Sequence, residues 1–189
     1  MFKKQLLALA AGLCAAGTVA AAPVQYGANS HYYEFISTAV TWNTAFNAAN
    51  ASTYLGMQGY LATVTDAGEN TFVSVNVAAG QLAWLGGSDD GAPVNNWTWR
   101  GGPENGMAFT YTNWNGGEPN NCCGGENFLQ TNWAVTGGWN DHGGPGNAGQ
   151  VNGYVVEYSN VPEPATLALL GLGLAGLGYS GRRMQKKVA

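Results

Sequence analysis

From residue 82 onward the chain is a series of short aromatic or aliphatic runs, LAWLGG, NNWTWRGG, FTYTNWNGG, NWAVTGGWND and GYVVEYS, each cut off by Gly, Asn, Asp or Pro. Runs of this length between such breakers read as short strands joined by long loops. The most irregular piece is GGEPNNCCGGENF, residues 116–128, which is too rich in Gly and Pro for a helix and a poor strand. Long structureless loops in a compact domain are functional or disordered. Trp114, Trp133 and Trp139 flank or punctuate these loops, which argues for order. Something must then hold them in place. Cys122 and Cys123 are adjacent, so their own bond cannot staple distant segments; a bound ion can.

The first half has a different texture. SHYYEFIS (30–37) reads as a strand. TAVTWNTAFNAANAS follows, with Val40, Ala45, Ala48 and Ala49 forming a helical apolar face. YLATV is a short strand or turn. Asp66 and Glu69 then form a D-x-x-E helix start ahead of NTFVSVNVAA. Val73, Val75 and Val77 alternate as in a strand, but the capping signature favours a helix. No repeat of solenoid length is present. Two early helices followed by a small antiparallel sheet with long loops make an α+β domain.

Both ends read as processing segments. Residues 1–22 have a charged start (Lys3, Lys4), an apolar run from Leu6 to Ala16 and a small-residue region, TVAAAAP, as in a secretory signal peptide. Cys14 falls inside that apolar run. Residues 161–189 carry Pro162-Glu163-Pro164, an uncharged run from Ala165 to Gly181, and then Arg182, Arg183, Lys186 and Lys187. That run is at the short end for a transmembrane helix, and the basic cluster after it predicts a cytoplasmic terminus. The order of these parts resembles the PEP-CTERM sorting signal of Gram-negative bacteria. The resemblance implies transient membrane anchoring, recognition by an exosortase-type enzyme, and export to the cell surface or extracellular matrix.

With the ends set aside, residues 23–160 form the domain, and they contain every Trp of the chain. Arg100 is their one Lys or Arg against ten acids, a formal charge of about −9. Such a surface repels phosphate backbones, which excludes nucleic acid as a partner, and attracts divalent cations. The acids and amides are placed to use one. Calcium takes six to eight oxygen ligands from carboxylates, amide carbonyls, backbone and water. Glu118, Asn120 and Glu126 offer three side-chain oxygen groups within the irregular loop, and Asn140 and Asp141 offer two more. A set without cysteine or histidine argues against zinc. An X-Pro bond can be cis at modest cost, and a cis bond between Glu118 and Pro119 would turn the flanking side chains toward one point.

These residues, taken in order, resemble the C-type lectin-like domain. WLGG (84–87) is similar to that family's central strand, TNWNGGEPNN to its Glu-Pro-Asn loop, WND (139–141) to its Trp-Asn-Asp strand, and GYVVEY (153–158) to its closing strand. WNTAFNAA and GYLATVTDAGENTFV are similar to its two helices and their link. The resemblance spans roughly residues 28–160 and implies a long calcium-binding loop region. It implies a Ca²⁺ ion held by Glu118, Asn120, Glu126, Asn140 and Asp141, and carbohydrate bound at Glu118, Asn120, Glu126 and Asn140. The Glu-Pro-Asn form implies mannose, glucose or fucose-type sugars. The family's usual disulfide positions carry Phe128 and Val156 here. For an auxiliary calcium site Asp89 is available, while Pro93 and Asn121 stand where the family often has acids.

Other readings have their own consequences. A calcium-stabilised module that adheres to protein or matrix without binding sugar has the same oxygen cluster. An enzyme would pose Glu126, Asp141 and His142 as acid and base. Nothing supplies a nucleophile elbow, an oxyanion device or a paired-acid signature, so no catalytic activity is expected. Cys122 and Cys123 are read three ways: a vicinal disulfide, an inter-chain bridge or free thiols. Trp139 and Trp114 are expected in the core and His142 at a solvated rim.

Overall fold

The computed structural model describes residues 22–92, 94–144 and 149–160. Apart from Ala22, the expected signal peptide (1–22) and sorting tail (161–189) lie outside the described residues. So does the expected membrane span; among the described residues no helix is long and apolar enough to cross a membrane.

The first strand, β1 (Val24–Gln25), pairs antiparallel with β2 (Tyr32–Ile36). Helix α1 (Trp42–Ala51) starts at Thr41, whose side chain accepts from the Thr44 N–H. It buries Trp42, Ala45 and Ala49 at helical spacing. Ala48, expected on that face, is exposed. Val40 precedes the helix and bridges to Val151. Strands β3 (Thr53–Tyr54) and β4 (Met57–Leu61) form a hairpin. Helix α2 (Ala67–Thr71) begins at Asp66, whose Oδ1 accepts from the Glu69 N–H at 2.9 Å. The chain then widens into a π-helical turn over Phe72–Val77. Val73 is buried and Val75 is 48% exposed, so the capping residue prevails over the strand-like valine alternation.

The remaining strands are β5 (Ala83–Ser88), β6 (Thr98–Trp99), β7 (Phe128–Thr131), β8 (Trp139–His142) and β9 (Gly153–Tyr158). They form a sheet with the order β1-β2-β9-β5-β7-β8. On its other side β9 is shared: β4 pairs with its second half and β5 with its start. The sheet is mixed rather than purely antiparallel, because β5 runs parallel to β9 through Ala83↔Gly153 and Trp84↔Tyr154. Parallel neighbours need a long crossover, and the whole segment from residue 89 to residue 152 provides it. FTYTNWNGG forms no strand; it is tied by a single bridge, Trp114↔Trp139, with another, Thr98↔Ala108, just before it.

Successive strand residues point to opposite faces, so the central strands feed two cores. Leu85, Leu129 and Val155 join Trp97, Trp99 and Trp139 in one. Trp84, Phe128, Tyr154 and Val156 join Trp42 and Leu61 in the other. Trp139 is fully buried, makes edge-to-face contacts with Trp99, Phe109, Tyr111 and Trp114, and donates its indole N–H to Asn70 Oδ1 at 2.8 Å.

Candidate functional site

The irregular loop is anchored at its base to β8. The Trp139 N–H donates to the Asn113 carbonyl at 2.9 Å, and the Asn115 N–H donates to the Trp139 carbonyl at 3.0 Å. Asn115 Nδ2 reinforces this with bonds to the carbonyls of Trp139 and Trp133. Residues 113–115 thus run along the edge of β8, and the loop that follows folds over Asn140 and Asp141. The Glu118–Pro119 bond is cis. Beyond it, the backbone N–H groups of Asn120 and Asn121 donate to Asp141 Oδ1 at 3.0 Å and Oδ2 at 2.6 Å. Asp141 is fully buried beneath the loop it holds.

The loop then turns back sharply. Gly124 and Gly125 sit at φ of 97° and 111°, a region that side chains rarely enter, which is why glycines stand there. The Gly125 N–H donates to the Cys122 carbonyl, and the Glu126 N–H donates to Asn121 Oδ1 at 2.8 Å. Glu126 thereby arrives at the entrance to β7, across from the end of β8, with its Oε1 3.3 Å from His142 Nδ1. Within the turn, Cys122 and Cys123 are joined in a vicinal disulfide.

Four of the five residues singled out, Glu118, Asn120, Glu126 and Asn140, line one cleft of about 390 Å³. The fifth, Asp141, lies behind the wall and holds Asn120 and Asn121 by their backbone. One side-chain oxygen in this cluster, Glu118 Oε2, is buried without a hydrogen-bond partner. Burial raises the Glu118 carboxyl above the ordinary carboxylate range, and the neighbouring Asp141 carboxylate pushes it further the same way. Asn120 Oδ1 accepts from the Cys122 N–H, and Asn140 Nδ2 donates to the Asp141 carbonyl at 2.6 Å. Among the described residues no group of three or more His, Cys, Asp or Glu side chains is set to hold a metal by itself. A cation at this cleft would also draw on the amide oxygens of Asn120 and Asn140. Among the described residues no Lys or Arg lines the cleft to balance its acids.

Several lining residues have no site role in the sequence reading. Leu82, Gln130, Trp133 and Val151 join the same cleft. His142 is more than a solvated rim residue: it touches Glu126 and stacks on Trp84 at 5.6 Å. Asp89 stands apart from this cleft; its two oxygens accept from Asn127 Nδ2 and the Asn95 N–H, each at 2.9 Å.

Residues 160–183 match the PEP-CTERM protein-sorting motif, a signal for export and attachment at the cell envelope. Halomucin of Haloquadratum walsbyi is 36% identical over 143 residues, which is 70% of this chain but only 2% of that protein's length. The solved C-type lectin CEL-I from Cucumaria echinata superposes with a TM-score of 0.57 at 24% identity, covering 68% of this chain and 90% of that one. The mouse scavenger receptor C-type lectin carbohydrate-recognition domain superposes with a TM-score of 0.57 at 18% identity, covering 71% and 93%. The described residues therefore have the C-type lectin-like fold, and the chain that carries them ends in a PEP-CTERM protein-sorting motif.

Proposed function

We propose that this is an exported, calcium-dependent carbohydrate-binding protein with a preference for mannose, glucose or fucose-type sugars. It acts at the surface or in the exopolysaccharide matrix of a Gram-negative bacterium. The observation that carries the reading is the unpartnered, buried Glu118 Oε2 beside the Asp141 carboxylate. Two carboxylates at such close quarters need a shared proton or a cation. The neighbours are hard oxygen donors, Glu126, Asn120 and Asn140, which suit calcium. In this reading all five residues hold the ion. Bound calcium would supply a centre that accepts a lone pair from each of two adjacent sugar hydroxyls. Glu118 and Glu126 accept the protons of those hydroxyls in hydrogen bonds, while the amides of Asn120 and Asn140 donate to them.

Such a shallow polar site holds one sugar with a Kd on the order of mM, about −4 kcal/mol. Display of many copies on a surface supplies avidity. Glu126 Oε1 and His142 Nδ1 lie 3.3 Å apart in the cleft, but the sequence supplies no nucleophile elbow, oxyanion device or paired-acid signature beside them, so binding without turnover is the function proposed.

Two measurements test this. Ligand that binds only the native state raises its stability, by about 2.7 kcal/mol at a hundredfold excess over Kd. The melting temperature is therefore expected to rise in mM calcium and to fall back with chelator; an unchanged melting curve rejects the metal. Retention on mannose-agarose is expected in calcium, with elution by chelator or free mannose. Binding that ignores both would instead favour an adhesion module without sugar recognition.

A further inference from the structure

We propose that the cleft takes a neutral oligosaccharide rather than a single sugar. The indole of Trp133 packs on the ring next to the one held at Glu118, Asn120, Glu126 and Asn140. This rests on the carbohydrate-binding reading above and extends it to a second sugar position.

Trp133 differs from the other tryptophans of the domain. It is 45% exposed, whereas Trp42, Trp84, Trp97, Trp99 and Trp139 are buried and Trp114 packs against the core. Its exposure is not that of a slack loop. The Trp133 N–H donates to the Gly138 carbonyl at 3.3 Å, and the Trp133 carbonyl accepts from Asn115 Nδ2 at 2.7 Å and from the Val135 N–H at 2.6 Å. Its neighbour Asn132 donates from Nδ2 to the carbonyls of Ser74 and Gln81, and accepts from the Gly137 N–H. The backbone is pinned on both sides and the side chain is left open to the cleft. Asn115 ties the two halves of the site together, because its own N–H and side chain also fix the base of the Glu118 loop.

The cleft therefore has two chemistries. Glu118, Asn120, Glu126 and Asn140 line it with oxygen and nitrogen, and Trp133, Leu82, Val151 and the Cys122–Cys123 disulfide line it with apolar surface and sulfur. A pyranose matches this division, with hydroxyls at its edge and C–H bonds on its face. An aromatic plate gains from that face whichever hydroxyl pattern the ring carries. A cleft of about 390 Å³ is larger than a single hexose requires. Charge selects the class of glycan. Among the described residues no Lys or Arg lines the cleft, and Arg100 of the domain lies in a separate cleft beside Asp90. Calcium offsets two of the three carboxylate charges of Glu118, Glu126 and Asp141, so the loaded loop stays net negative and disfavours uronic or sulfated sugars, which leaves neutral chains.

The test titrates the calcium-loaded full chain with mannose and with linear mannose di- and trisaccharides, using wild type, Trp133→Ala and Trp133→Phe. The trisaccharide is expected to bind wild type about 3- to 10-fold more tightly than mannose, the range of an aromatic contact. Trp133→Ala should abolish that gain and leave mannose affinity unchanged, and Trp133→Phe should keep most of it. Measurable mannose binding with no gain for the trisaccharide overturns the second sugar position alone. So does a gain that survives Trp133→Ala. If neither mannose nor trisaccharide binds, the carbohydrate reading itself falls, and this extension with it. A uronate-containing trisaccharide that binds as tightly as the neutral one overturns the charge selection.

Discussion

Glu118 and Asn120 flank a single proline, and between them they set the pattern of acceptors and donors that a sugar would meet. Exchanging acid and amide reverses that pattern without changing volume. Glu118→Gln combined with Asn120→Asp is expected to weaken calcium-dependent mannose binding at least tenfold and to favour galactose in competition on a sugar matrix. A double variant that still prefers mannose would show that hydroxyl orientation is set elsewhere. At this scale the sequence was informative about type and position. Carboxylates and amides at 118, 120, 126, 140 and 141 are visible as oxygen donors, and four of them line one cleft with the fifth directly behind it. It set Trp133 beside the loops but not in the cleft, because no periodicity separates an exposed indole from a core one. The state of Cys122 and Cys123 was equally open, since adjacent cysteines fit a vicinal bond, a bridge or free thiols until the turn around them is known.

Among the elements, α2 shows how a short local signal can outweigh a longer pattern. Asp66 accepts from the Glu69 N–H, and the Glu69 side chain returns to the Thr65 N–H at 2.6 Å and the Tyr33 hydroxyl at 2.6 Å. The acid at the third position thus fixes the helix to β2 as well as to its own start. Asp66→Ala removes one of these capping bonds and is expected to cost about 1 kcal/mol in denaturant unfolding with the fold retained. Loss of under 0.3 kcal/mol would mean that Glu69 alone sets the start. The helices and the strands around WLGG, WND and GYVVEY were legible because periodicity and breakers delimit them. The parallel pairing of β5 with β9 was not, since strand partners across a crossover leave no local trace. FTYTNWNGG has the composition of a strand but is held by Trp–Trp and Trp–Phe packing and a single bridge instead.

Across the molecule, a buried polar network joins the first strands to the last. His31 Nδ1 pairs with the buried Glu157, which also accepts from the Thr63 N–H and hydroxyl. The Glu157 hydrogen bond raises the His31 pKa above its ordinary 6.5, burial opposes it, and the charges of Glu157, Glu104 and Glu69 add to the rise. Burial likewise raises Glu69 above 4.5, partly offset by its bond from Tyr33. Both are raised in the folded state, so each contributes stability that is present below its unfolded pKa and lost as pH rises through the folded one. In chelator, the melting temperature is expected to decline as pH climbs from 6.5 into the alkaline range, and His31→Gln should flatten that decline. An identical slope in the variant would place the effect elsewhere.

Strand β9 also sets how the molecule is presented. Gln150 and Val151 line the cleft just before β9 begins, and the chain leaves the described domain at Asn160, just past its far end. Six extended residues span about 20 Å. Asn160, the last described residue, therefore lies past the end of β9 away from the cleft, beside the strand that brings the chain in at Tyr32. An attachment made beyond that end would leave the mouth of the cleft facing away from the tether.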